Sequence, residues 1–259
     1  MICYLCYMVK HPQSAIIWKD IGETPLEALE RYRASQINDG RTEFSGMPMT
    51  YAGRLDPMAE GELIILWGDE CRNKEKYLGL DKEYEVEIIF GITTDTYDAL
   101  GMAKLGGTSQ LKNGTIERLD LSKYVGKCTE AYPPYSSKTF KGKQLHELAR
   151  ARELPEEMPT KETEIYSIEV IPPYDRYDAQ ALKARILSTI SLVMGDFRQE
   201  AIMKRWNEVL EVGPLEYPVL KIRVKCSSGT YMRSLAHRIG IDVGIGAFAL
   251  SIKRTKIFH

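Results

Sequence analysis

The chain has 259 residues, 44% hydrophobic and 27% charged, which suits one large globular domain or two small ones. A net charge of −1 excludes a uniformly basic nucleic-acid binder, though not a local basic face. No apolar run reaches the roughly 18 residues of a membrane span, and no basic region precedes the apolar N-terminal stretch, so neither membrane nor secretory signal is expected and the cytoplasm is.

In chain order, residues 2–9 and 15–18 read as β-like runs around a turn at His11-Pro12. The five cysteines are scattered, which fits a reducing compartment. Cys3 and Cys6 form a lone C-x-x-C without a second ligand pair, so no metal is expected. Thr24-Pro25-Leu26-Glu27 opens a helix with a capping box and proline at its first position, and Asn38-Asp39-Gly40 stops it. Residues 63–67 form a short apolar strand, and residues 71–78 a short charged helix. Residues 82–90 alternate cleanly, with Tyr84, Val86, Ile88 and Phe90 on one face and Glu83, Glu85 and Glu87 on the other.

A polar loop over 93–101 and a short helix over 119–125 follow, then Tyr132-Pro-Pro-Tyr and a helix over 144–152. Lys138 to Arg152 holds five basic residues and one acid near Tyr135 and Phe140, a composition that suits either an RNA loop contact or a solvated helix face. Residues 162–171 read as a strand, 178–194 and 197–210 as amphipathic helices, 217–226 as a strand, 227–243 as a turn into a helix, and 247–258 as a last strand. Strands and helices mix without regular alternation, so the fold class is α+β.

The stretch Tyr51 to Leu63 stands out. Asp56 precedes Pro57, which biases it away from helical geometry, and Gly53 and Gly61 allow bends on either side. A carboxylate on a stiff loop leading into the core is a candidate for chemistry; an ordinary solvated or capping aspartate fits as well.

Four stretches in order resemble the TruB family of tRNA pseudouridine synthases. They are Gly53-Arg-Leu-Asp-Pro-Met-Ala-Glu-Gly-Glu-Leu63; Lys82-Glu-Tyr-Glu-Val86 with the Thr-Asp-Thr-x-Asp-Ala loop ending at Gly101; Pro133-Pro-Tyr-Ser-Ser-Lys138 running on to Arg150; and Cys226-Ser-Ser-Gly-Thr-Tyr-Met-Arg-Ser-Leu235 with Gly246 and Arg254. Together they cover about residues 16–258.

The resemblance implies a pseudouridine synthase fold with a mixed, largely antiparallel central sheet in a single catalytic domain. It implies isomerisation of the tRNA T-loop uridine at position 55, with no metal or organic cofactor and a monomeric enzyme meeting the T-arm. Asp56 matches the family's covalent aspartate, and Arg233 the arginine that aims it. Tyr84 matches the tyrosine that stacks on the flipped base and can serve in proton transfer, and Tyr231 a further active-site tyrosine. Substrate contacts are expected from Lys19, Tyr51, Arg54, Tyr135, Lys138, Lys141, Lys143, Ile252 and Arg254, with residues 131–152 as the RNA-gripping thumb. Without the resemblance, Tyr84, Tyr231 and Ile252 read as core and Arg233 as a helix-surface residue.

Three departures stand beside it. Tyr51 replaces the family's usual histidine, Asp20 replaces the proline of a Lys-Pro-x-Gly segment at Lys19–Gly22, and the sequence stops at His259, where many members continue into a PUA-type domain that is therefore not expected here. Residues 174–213 look like a helical insertion, either packed on the catalytic domain or serving as RNA-binding surface. Rival readings are a synthase for another RNA target, a tRNA-binding chaperone, and a glycosidase, which lacks a second catalytic carboxylate partnered to Asp56.

Overall fold

A computed structural model describes residues 13–107, 116 and 118–259. The strand expected over 2–9, the turn at His11-Pro12 and the Cys3/Cys6 pair lie outside them. The elements run β1 (Ser14–Lys19), α1 (Pro25–Asn38), β2 (Met49–Ala52), β3 (Ala59–Trp67), α2 (Lys74–Leu78), β4 (Asp81–Phe90), β5 (Ile92–Thr94), β6 (Ala103–Leu105), β7 (Gly126–Ala131), β8 (Thr139–Phe140) and β9 (Lys143–Gln144). The second half holds α3 (Leu145–Ala151), β10 (Thr160–Val170), β11 (Asp175–Asp178), α4 (Ala179–Ser191), α5 (Gln199–Val212), β12 (Glu216–Cys226), α6 (Met232–Val243) and β13 (Ala247–Phe258).

Nine of these strands form one mixed sheet in the order β1-β3-β13-β4-β12-β10-β7, with β2 on β3 and β11 on β12. All its pairings are antiparallel except β13 with β3. β13 pairs with β3 at Ala59–Gly61, and β2 takes over the same edge from Ile64 to Trp67. The Asp56 loop joins β2 to β3 and so lies where that edge changes partner. Gly61 has φ +125°, and a side chain there would collide with the Arg254 backbone.

Local signals place several elements as expected. Thr24 caps α1 and Glu27 returns the bond, which is worth about 1 kcal/mol. β4 buries its even-numbered face against α6, with Val86, Ile88 and Phe90 in one core with Leu235, Ala236 and Ile239. Three expectations are corrected. The strand expected at 63–67 begins at Ala59, because Gly61 admits the close passage of β13. The polar loop at 93–101 is flanked by the β5–β6 hairpin, whose Ile92 and Ala103 are fully buried. The helix expected over 119–125 is a single 3-10 turn, Ser122–Tyr124.

α4 and α5 close the other face of the sheet, packing Leu182, Ile186, Ile202 and Trp206 on Ile89, Val219, Phe248 and Leu250. Residues 174–213 thus complete a core, and removing them would bare it to water. Trp206 is fully buried and donates its indole N–H to the Ala99 carbonyl at 2.9 Å. Trp206→Ala is expected to cost about 3–5 kcal/mol in urea unfolding, through the cavity and the orphaned carbonyl; a loss under about 1 kcal/mol would mean that this face is not a true core.

Candidate active site

The β2–β3 loop is held from behind by two buried cations. Lys19, at the end of β1, is fully buried and gives its ammonium to the carbonyls of Ala59 (2.6 Å) and Asp20 (2.9 Å). Arg254 of β13, 1% exposed, donates Nε to the Glu62 carbonyl at 2.6 Å and Nη2 to the Gly53 carbonyl at 3.0 Å, with Nη1 at 3.4 Å from that of Arg54. Gly22 N–H binds the Pro57 carbonyl and Ala59 N–H the Asp56 carbonyl. Lys19 and Arg254, expected from sequence as substrate contacts, clamp this loop: their charged heads are taken up by backbone carbonyls and are buried, and Arg254 also borders the cleft.

Burial pushes Lys19 down from an ordinary 10.5 to about 8, against the opposing pull of Glu23 and Asp56. The folded state therefore binds fewer protons at Lys19 than the unfolded chain between about pH 8 and 10.5, and this lysine's contribution to stability rises with pH across that window and is lost as pH falls through 8. In thermal unfolding from pH 7.5 to 10, wild type should gain on Lys19→Met as pH rises. A constant gap between the two would contradict the burial cost.

Asp56 presents its carboxylate to a cleft of about 840 Å³. Its partner comes from the far end of the chain. The β12–α6 link turns at Gly229 (φ +81°), α6 starts at Met232, and Arg233 points back from its first turn. Arg233 Nε donates to Asp56 Oδ2 at 2.7 Å, Nη1 to the Thr96 carbonyl and Nη2 to the Tyr135 carbonyl, both at 2.9 Å. The arginine side chain is 2% exposed and that of the aspartate 38%, so the acid is reachable while the group that aims it is not. Burial opposes the charge on Arg233, but Asp56 and Asp98 outweigh it and its guanidinium stays above the ordinary arginine value.

Tyr84 of β4 faces the cleft beside Ile252 and pairs across strands with Arg254. Burial raises its phenol, and the Arg254 charge opposes the rise. Burial takes Tyr231 up to about 12, helped by Asp56 and opposed by Arg233, whose guanidinium lies 5.3 Å from the ring centroid. Both phenols therefore keep their protons at neutral pH. The cleft is lined further by Tyr51, the exposed Arg54 and Tyr135. Lys138, Lys141 and Lys143 are exposed on and around the β8–β9 hairpin outside the cleft. Lys138 lies over Tyr132, and Lys143 pairs with Glu153.

Sequence reasoning assigned no role to Asp98, which is 5% exposed. It accepts from Thr96 Oγ1 at 2.6 Å and Leu100 N–H at 3.0 Å, and burial takes its carboxyl up to about 6 against the opposing charge of Arg233. The Thr-Asp-Thr-x-Asp run was the available signal. Arg198, which also reaches the cleft wall, had none.

The fold is that of the pseudouridine synthases. Solved structures that share it are a Cbf5-Nop10-Gar1 complex (16% identity, TM-score 0.54, 94% of this chain and 48% of that one) and the archaeal box H/ACA sRNP Nop10-Cbf5 complex (16%, 0.51, 95% and 49%). The model of the TruB family pseudouridylate synthase N-terminal domain matches residues 41–187, more than half of the chain, and the protein belongs to that family. It is 28% identical over 242 residues to tRNA pseudouridine synthase B of Aquifex aeolicus, covering 93% of this chain and 67% of the relative. It is 28% identical to that of Protochlamydia amoebophila (86% and 68%) and 31% to that of Syntrophomonas wolfei (80% and 56%). The chain thus spans between about half and two thirds of the length of these relatives.

Proposed function

We propose that this chain isomerises the T-loop uridine of tRNA, position 55, to pseudouridine, with Asp56 as nucleophile. The observation that carries the reading is the pairing of an accessible Asp56 carboxylate with a buried arginine at 2.7 Å in a cleft roomy enough for a flipped nucleotide. Membership of the family, and the tRNA pseudouridine synthases among its relatives, support RNA as the substrate.

The bookkeeping of bonds is closed without a cofactor. The C1′–N1 bond breaks and its electron pair leaves with the uracil. The Asp56 carboxylate either bonds to C1′ or removes the 2′ proton; the base turns and C5 bonds to C1′, and in the first route the C1′–Asp56 bond breaks to free the carboxylate while in the second the proton returns from Asp56 to C2′. C5 gives up its proton and N1 gains one, so reactant and product are isomers. Arg233 holds the carboxylate in line, which lowers the entropic part of the barrier. Tyr84 offers a ring face to the base and a phenol for proton traffic at C5. Arg54 and the thumb lysines supply positive charge for the phosphate backbone, so binding should weaken with salt.

The test is tritium release from a 5-tritiated, unmodified T-arm stem-loop, with mapping of the modified position. Release at the T-loop uridine is expected. Tight RNA binding without release would move the reading to another RNA target or to a chaperone.

A further inference from the structure

The link between α4 and α5, residues 192–198, borders the cleft on a side to which no catalytic role has been given. It touches three things at once. The Leu192 backbone lies against Gly22, whose N–H holds the Asp56 loop at Pro57. Arg150 of α3 donates Nη2 to the Asp196 carbonyl at 2.6 Å. Arg198 Nη1 donates to Asp95 Oδ2 and to Tyr135 Oη, both at 2.9 Å, and its guanidinium stacks 4.5 Å from the Tyr135 ring centroid.

Nothing local explains an arginine at 198. It is the residue before the first turn of α5, yet its side chain makes no capping bond to that helix. A cation at a helix N-terminus opposes the helix dipole. Its φ of +65° is a left-handed conformation that costs free energy for any residue with a Cβ. Its partners are 103 and 63 residues away in sequence. Both are anchored: Asp95 also accepts from Met102 N–H at 2.7 Å, and the carbonyl of Tyr135 receives Nη2 of Arg233. A continuous path therefore runs from Arg198 through Tyr135 and Arg233 to Asp56.

We infer that Arg198 is a positioning residue for the reaction: it latches the root of the thumb segment, at Tyr135, to the Asp95 turn and so keeps Arg233 aimed at Asp56. The helical segment α4–α5 thereby has a part in the active site beyond packing. The inference rests on the reading of Asp56 as the reacting group.

The test compares wild type with Arg198→Ala in the full chain. Amide hydrogen exchange over 133–148 is followed in the free protein, and T-arm RNA affinity and the single-turnover rate at saturating RNA are measured separately. The latch predicts exchange faster by about tenfold, a rate lower by about tenfold and an affinity changed less than about threefold. Tyr135→Phe, which keeps the stacked ring and loses the oxygen, should give part of the same rate loss, and adding it to Arg198→Ala should give little more. If Arg198→Ala does not fold, Arg198→Lys keeps the charge, loses the fork, and should show the same signs. Unchanged exchange, or a loss confined to affinity, overturns the inference. If wild type does not modify the T-arm, the proposed substrate fails, and the exchange comparison alone still decides the latch.

Discussion

Asp56→Asn should abolish pseudouridine formation, by about a thousandfold or more, and leave the fold standing. Asparagine keeps the size of the side chain and an oxygen that can accept from Arg233 Nε, but a neutral amide neither attacks C1′ nor removes a 2′ proton. The stability change should be small, under about 1–2 kcal/mol, because the carboxylate is 38% exposed and water screens its pairing. Arg233 also keeps its bonds to the Thr96 and Tyr135 carbonyls. Tritium release and thermal unfolding on the same samples separate the two effects. A variant that retained a tenth of the wild-type rate would remove Asp56 from the nucleophile's role.

Arg233→Ala is expected to damage both stability and catalysis. The guanidinium is buried and joins three segments, so its loss strips a donor from two carbonyls, frees Asp56 to rotate, and leaves Asp98 buried without the positive charge that opposes its protonation. The two carbonyls left without a donor and the buried Asp98 carboxyl left without a compensating charge together cost about 3–5 kcal/mol. Without that cation, Asp98 should take up a proton even more readily. Arg233→Ala combined with Asp98→Asn should therefore recover part of the stability in urea unfolding while the rate stays near zero. Recovery of activity in the double variant would show that Arg233 serves the fold and does not aim Asp56. Arg233→Lys keeps a charge but cannot reach three acceptors in one plane, and should fall between wild type and alanine.

These two variants divide the site into the acid that reacts and the scaffold that holds it. The scaffold is ionic to an unusual degree for a core: Lys19, Arg233 and Arg254 are all nearly inaccessible, and each is satisfied mainly by carbonyls of the loops around the cleft and of the start of β3. Loops have no ladder to fix them, so charge-assisted bonds do that work here.

Much was legible in the sequence because it rests on short-range pattern. Thr24 and Glu27 announced α1, the alternation from Lys82 to Phe90 announced β4 and the buried side of Tyr84, and the stripes at Leu182–Ile190 and Ile202–Leu210 announced the helical pair. Asp56 was marked by the proline and glycines around it, and its pairing with Arg233 was implied by resemblance. What only the tertiary structure decided concerns charge. Lys19 and Arg254 look like surface cations in any local window; their burial follows from carbonyls supplied by the β2–β3 loop and the start of β3, 40 to 201 residues away. Asp98 was hidden in a polar run, and Arg198 in a link between two helices. Periodicity reports which face of an element is apolar, but a buried ion is permitted only by the partners that the fold brings to it, and those partners are set by the order of strands in the sheet and the path of the loops at its edge.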